Sequence, residues 1–237
     1  MIGYIYTVLR VGLLTVFYSL YSTFKGRRGD SDAYHRSAFI WARKIITSLR
    51  IKVNLTGAEL LNKDDNYVYI ANHSSLIDIP VLVHTLNDNI RIIYKKELEK
   101  IPFFGYGLKY SPFIAVSRDG GKEAMKTLQE GIAAMKENKS ILIFPEGTRS
   151  KDGTLGEFKR GAFLMAEKAG KKIVPVTVKN TNKILPKGES KFKKGVEVSV
   201  IISPPMELPE VANKKTMLEF IEQVKGIINT NLSEPSK

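Results

Sequence analysis

The amino-acid sequence predicts an α/β domain preceded by a helical hairpin. From Ile51 onward, short β-rich runs alternate with helical patterns, the arrangement of α/β sheet proteins. Ahead of them, residues 1 to 50 combine a long apolar run with a basic amphipathic one. With 237 residues and 43% apolar composition, the chain can close one sizeable core plus an appendage, but not two full domains. The expected division is 1–50, a membrane-associated two-helix hairpin, and 51–237, the α/β body.

Within the hairpin, Ile2 to Phe24 carries Arg10 as its single charge. As a helix this run would reach roughly 34 Å, enough for a bilayer core of about 30 Å. Arg10 at the membrane centre would cost roughly 2.5–3.5 kcal/mol, and Tyr4, Tyr6, Phe17, Tyr18, Tyr21 and Phe24 give the run an interfacial character. Insertion into one leaflet is therefore preferred, with spanning left open. Lys25-Gly26-Arg27-Arg28-Gly29-Asp30 reads as a basic turn, after which Ser31 or Asp32 caps a second helix reaching about Leu49. Tyr34, Ala38, Trp41, Ile45 and Leu49 share one face, while His35, Arg36, Arg43, Lys44 and Arg50 project mostly elsewhere. Such a helix suits a headgroup layer or packing on the first helix. Arg10, Lys25, Arg27, Arg28, Trp41, Arg43 and Lys44 are the candidate membrane contacts. Because the basic charge follows the apolar run, a cleaved secretory leader is not expected, and the body is placed on the cytoplasmic face of the cell membrane.

In the body, strands are expected at Ile51–Leu55, Tyr67–Ala71, Ile90–Tyr94, Phe113–Val116, Ile141–Phe144, Ile173–Val178 and Val196–Ile202. Met125, Leu128, Ile132 and Met135 form a core stripe in a helix over Gly121–Asn138, and helices are also expected from Ala162 to Lys168 and Lys214 to Asn229. Pro175 lies inside a strand-like run, which implies an edge strand or a bulge. Lys179–Gly195 reads as a basic loop.

Composition narrows the chemistry. The absence of cysteine excludes disulfides, thiolate metal sites and a Cys nucleophile. The excess of 37 basic over 24 acidic residues, +13 in all, favours an anionic partner. Basic charge beside apolar residues suggests membrane lipid before nucleic acid. His35 and His84 have no chelating neighbours, and no metal site is readable.

Two polar motifs follow strand-like runs directly. In Asn72-His73-Ser74-Ser75-Leu76-Ile77-Asp78, a regular helix would set His73 and Asp78 about 140° apart, so their meeting requires a strand-to-helix turn. Once joined, Asp78 would fix the tautomer of His73 and leave its second nitrogen to take a proton from a hydroxyl. In Phe144-Pro145-Glu146-Gly147-Thr148-Arg149-Ser150, Pro145 and Gly147 break the backbone so that Thr148, Arg149 and nearby amides face a cleft. Arg149 suits a phosphate dianion. Glu146 either positions a hydroxyl or holds the loop by accepting bonds from Arg or backbone donors. Arg118, Lys159 and Arg160 are further phosphate-binding candidates.

These blocks in this order resemble the membrane glycerolipid acyltransferases, and most closely the 1-acylglycerol-3-phosphate acyltransferases. The motifs span residues 72 to about 178; the block ending in Arg118 departs from the family, which commonly has Gly and a further acidic residue near that Arg. The resemblance implies a mixed sheet flanked by helices. It makes His73 the general base and Asp78 its orienter, with Arg118 and Arg149 on the substrate phosphate. It assigns acceptor positioning to Glu146, close backbone approach to Gly147 and shaping of the site to Pro175; Thr148 and Lys159 are added to the phosphate site from the residues themselves. The implied reaction moves a fatty acyl group from acyl carrier protein or acyl-CoA to the sn-2 hydroxyl of lysophosphatidate, without an acyl-enzyme; the thioester is a co-substrate, and no cofactor or metal is expected. Alternatives are acylation of glycerol-3-phosphate or another lysophospholipid, a hydrolase using Ser74 or Ser75, and a non-enzymatic basic membrane-binding protein. Exchange of both serines for alanine is expected to be mild under the first reading.

Overall fold

The computed structural model describes residues 2–30, 32–117, 121–210 and 213–235. In chain order these form α1 (Ile2–Arg27), α2 (Ala33–Leu49), β1 (Lys52–Thr56), β2 (Val68–Ala71), α3 (Asp78–Leu86), β3 (Ile90–Lys95), α4 (Phe104–Lys109), β4 (Ile114–Val116), α5 (Lys122–Lys136), β5 (Ser140–Ile143), α6 (Gly161–Ala169), β6 (Ile173–Lys179), β7 (Glu197–Ile202) and α7 (Lys214–Ser233). The expected strands are all present, each shifted by a residue or so at its ends.

The sheet is mixed, in the order β1-β7-β6-β2-β5-β3-β4. β6, β2, β5, β3 and β4 run parallel, β7 runs antiparallel to β6, and β1 follows β7. β2 lies in the middle with all four residues buried, as a strand covered on both faces must be. Its alternating side chains divide between two cores: Tyr69 and Ala71 join one with residues of α2 and α3, while Val68 and Ile70 join the other with residues of α5, α6 and α7. The result is a mixed sheet flanked by helices, as the motifs implied. The caps vary: Asp32 precedes α2 without a side-chain capping bond, Ser31 lies outside the described residues, and Asn213 forms a full capping box on α7.

The hairpin is not detached from this body. Ala42, Ile45, Ile46 and Leu49 of α2 belong to the core that contains β2, and Val11 and Leu14 of α1 pack onto it from outside. Trp41, expected at the membrane, turns inward instead: it packs on that core and its indole N–H donates to Thr15 Oγ1 on α1 at 3.0 Å. α1 also meets α4 closely. A Cβ on Gly107 would fall 1.6 Å from Ser19 Oγ, so only glycine permits this approach. Among the described residues, the Ile5–Arg27 stretch of α1 is long and apolar enough to cross a membrane by length and composition.

Pro175 is on a central strand, between β7 and β2, and not at an edge. The lattice accommodates it through a bulge in the partner segment. The register slips by one residue between the Val176↔Ile202 pair and the Ile173↔Met206 bridge, so the missing N–H of Pro175 falls where the ladder is interrupted. Its carbonyl still accepts from the Ser203 N–H at 2.9 Å.

Candidate active site

The parallel strands β2 and β5 are neighbours and end side by side, which brings the two motifs together although they are far apart in sequence. The chain leaves β2 at Ala71, turns through Asn72 to Ile77, and enters α3 at Asp78. Asn72 anchors the turn to β6: its amide donates to Val178 O at 2.9 Å and accepts from Val178 N–H at 2.7 Å. The turn then folds back so that Asp78 Oδ2 lies 2.8 Å from His73 Nδ1.

Asp78 is fully buried, and a buried carboxylate demands donors. It has them. Besides the imidazole, Oδ2 accepts from the N–H groups of Ser74 at 2.8 Å and Ser75 at 2.9 Å, and Oδ1 accepts from the Thr181 hydroxyl. Its place in the first turn of α3 adds the positive end of the helix dipole. An ionised Asp78 can only accept, so Nδ1 carries the proton and Nε2 presents the lone pair. The His73 side chain is 15% exposed, with its ring stacked on Phe144 at 4.0 Å between centroids. The pair therefore has a held imidazole with one basic nitrogen directed away from its anchor.

Glu146 ties the motifs at the backbone. It is buried; Oε1 accepts from the His73 N–H at 2.8 Å and Oε2 from the Gly156 N–H at 2.9 Å. Burial pushes its carboxyl above the usual carboxylate range, against the opposing pull of those two N–H bonds and of His73. Of the two roles open in the sequence, this geometry is that of a loop holder with backbone donors. A second tie runs from the Ser150 N–H to His73 O at 2.7 Å.

Gly147, at φ +68°, turns the loop where a Cβ would lie 2.8 Å from Lys159 Nζ, so the Lys159 ammonium lies against the Gly147 backbone. Thr148 is exposed and Arg149 half-buried; among the described residues no hydrogen-bond partner engages the Arg149 guanidinium. Lys187, which sequence reasoning left in an undifferentiated basic loop, donates to Thr148 Oγ1 at 3.2 Å and to Arg149 O. An ammonium has no acceptor, so the Thr148 hydroxyl keeps its own proton for a ligand. Arg118 lies outside the described residues. Pro175 lies within the sheet, two residues beyond the Ile173 bridge and buried.

Further contacts involve residues near the pair. Thr181 was not anticipated, yet it donates to Asp78 and lies 3.1 Å from Ser74 Oγ. Ser75 Oγ donates to Leu185 O at 2.8 Å and accepts from the Ile77 N–H at 3.2 Å. Both serines are buried, with Ser74 Oγ 3.1 Å from Thr181 Oγ1 and Ser75 Oγ bonded to Leu185 O, so neither hydroxyl is offered to His73 as a nucleophile.

A carboxylate-held imidazole beside a cationic loop defines a site that can deprotonate a hydroxyl next to an anionic group. Comparison with known proteins gives the family. Residues 52–179 match the Acyltransferase family model, and the chain belongs to that family. It is 32% identical to a 1-acyl-sn-glycerol-3-phosphate acyltransferase of Saccharomyces cerevisiae over 94% of this chain and 73% of that protein. It is 35% identical to a chloroplastic 1-acyl-sn-glycerol-3-phosphate acyltransferase of Arabidopsis thaliana over 74% of this chain and 50% of that protein. Thus it spans about half the length of the first curated relatives it matches. The crystal structure of the 1-acyl-sn-glycerophosphate acyltransferase PlsC from Thermotoga maritima superposes with a TM-score of 0.80 at 26% identity, covering 100% of this chain and 99% of that one.

Proposed function

We propose that the protein transfers a fatty acyl group from an acyl thioester to the sn-2 hydroxyl of lysophosphatidate, giving phosphatidate. The single observation that carries this reading is the His73–Asp78 pair, held at 2.8 Å by a buried carboxylate beside the Thr148–Arg149 loop. The names of the relatives supply the acceptor.

In this mechanism His73 Nε2 removes the proton of the acceptor hydroxyl as its oxygen attacks the thioester carbonyl. The tetrahedral intermediate collapses, the carbon–sulfur bond breaks, and the imidazolium returns its proton to the departing thiolate. General-base assistance of this kind is typically worth 10²–10⁴-fold. Arg149, Lys159 and the Thr148 hydroxyl take the acceptor phosphate. Arg118, which lies outside the described residues, is assigned to the same phosphate from the sequence motif that it ends. Glu146 keeps the His73 turn and the phosphate loop in register, and Pro175 shapes the floor. The donor is acyl carrier protein or acyl-CoA; the +13 chain suits either anion.

The hairpin, residues 1–50, is the membrane-facing part and 51–237 the catalytic body. Ile5, Leu9, Leu13, Phe17 and Phe24 are exposed along α1, and Ile101, Phe103 and Tyr106 are exposed beside α4, forming a large apolar surface of the kind that enters lipid. Arg27 joins the two parts, donating to Tyr106 OH at 2.8 Å and lying 4.5 Å over the Tyr110 ring. Since α1 packs lengthwise on α2 and the body, insertion in one leaflet fits better than spanning. Arg10, Lys25, Arg28, Arg43 and Lys44 then meet anionic headgroups at the cytoplasmic face.

The test is phosphatidate formation by the purified full chain in vesicles with lysophosphatidate and each thioester. Product with either donor supports the reading and names the donor. Product only when glycerol-3-phosphate or another lysolipid replaces lysophosphatidate overturns the acceptor assignment.

A further inference from the structure

Beside the hairpin lies a cavity of about 290 Å³ lined chiefly by Tyr6, Arg10, Thr47, Ser48, Arg50 and Lys194. Three of its walls are cations and none is a carboxylate. Arg10 Nη1 donates to Tyr6 OH at 3.3 Å, which orients one guanidinium. The Ser48 hydroxyl is committed to Lys44 O, leaving Arg10, Arg50, Lys194 and Thr47 as donors. Helix carbonyls at the end of α2 would repel an anion, but those of Ile46, Thr47 and Leu49 already accept from Ile51, Arg50 and Gly195.

Arg50 itself closes α2 in the left-handed region at φ 52°, a position glycine fills at least cost. A long cation is kept there despite the conformational penalty. The cavity also shares an end of the sheet with His73. Arg50 and Lys194 just precede β1 and β7, where Lys52 pairs with Glu197, and Ser199 pairs with Lys179 at the end of β6. β6 runs parallel to β2, whose end carries His73.

We infer that this cavity is a second anion site, which seats the phosphate of an anionic phospholipid drawn from the surrounding leaflet and separate from the acceptor. The lipid source follows from its neighbours: Ile5, Leu9 and Leu13 stand exposed on the same stretch of α1 as Tyr6 and Arg10, so acyl chains have an apolar path beside the charged pocket. A lipid held here pins the catalytic end of the sheet to an anionic bilayer. The lipid assignment rests on the proposed one-leaflet placement of α1; the anion chemistry does not.

The test follows the Gly195 amide, by glycine-selective labelling of the full chain in zwitterionic nanodiscs, during titration with dihexanoyl phosphatidylglycerol or with inorganic phosphate. Arg50→Asn/Lys194→Gln is compared with Lys52→Gln/Lys191→Gln, which removes the same charge outside the cavity. Asn tolerates the left-handed backbone, and unchanged thermal melts confirm folding. A saturable shift with the lipid is expected, its Kd raised at least about tenfold in the first variant and less than about threefold in the second. Equal weakening in both, or no saturable shift, overturns the site; equal Kd for inorganic phosphate overturns the lipid assignment. Retention on phosphatidylcholine vesicles reads the placement of α1 independently.

Discussion

Asp78→Asn separates charge from shape at the candidate site. Asparagine keeps an oxygen for His73 Nδ1 and the Ser74 and Ser75 N–H groups, which lie 2.8 to 2.9 Å away. Its amide nitrogen replaces Oδ1, where the Thr181 hydroxyl can rotate from donor to acceptor. The packing survives while the negative charge opposite the developing imidazolium disappears. With charge centres roughly 4 Å apart and an effective dielectric near 20, the lost attraction is about 4 kcal/mol. At 1.36 kcal/mol per decade this corresponds to a fall in kcat of about 10³-fold. Global stability should change far less, because the desolvation cost of a fully buried carboxylate is removed along with its bonds. The assay is steady-state phosphatidate formation alongside urea unfolding of the same preparation. A folded variant with kcat within about threefold of the parent would refute the assignment of Asp78 as the electrostatic partner of His73.

Thr181→Val removes one charge-assisted donor from Asp78, so a loss of about 1.5–3 kcal/mol in unfolding free energy and roughly tenfold in kcat is expected, and serine at that position should restore much of both. Glu146→Gln places an amide N–H against one of two backbone N–H donors and also alters the pH response. The Glu146 carboxyl is raised in the folded protein, so its contribution to stability is fully present below the unfolded carboxylate value and is lost as pH rises through the folded one. Urea midpoints of the parent should accordingly lose ground to Glu146→Gln as pH rises through that window and hold a constant difference above it; a gain over the same window would contradict the burial argument. Gly107→Ala drives a methyl toward Ser19, an overpacking cost of about 1–3 kcal/mol visible as a Tm lowered by roughly 2–12 °C, whereas Gly226→Ala, with open space at its Cβ, should raise Tm slightly.

The strands were legible because apolar runs of β2, β5 and β6 are bounded by turn residues, and because the alternation of Val68 and Ile70 against Tyr69 and Ala71 serves two cores. The His73–Asp78 contact was legible for a local reason: the five-residue spacing fails on a helix and works in a turn. Thr181 was not, since it reaches Asp78 across 103 residues of chain, and only the adjacency of β6 and β2 brings it there. The same adjacency converts Leu185 and Lys187 from members of a basic loop into supports of the Ser75 turn and the Thr148–Arg149 loop. Pro175 was legible only as an edge or a bulge, and the choice between them lies on another segment. Local chemistry forbids it a ladder bond, and the bulge that accommodates it belongs to Ser203–Pro205 on another segment. Trp41 was assigned by composition to the membrane, but a helix hairpin offered it Thr15 first.

The central claim is that His73 acts as general base in direct acyl transfer. The most direct measurement is single-turnover phosphatidate formation from lysophosphatidate and the preferred thioester by the parent and by His73→Ala, both verified as folded. The account predicts a loss of at least about 10²-fold in the chemical step, with lysophosphatidate affinity little changed because Arg149, Lys159 and Thr148 are left in place. A folded His73→Ala protein that forms phosphatidate at close to the parental rate would contradict it.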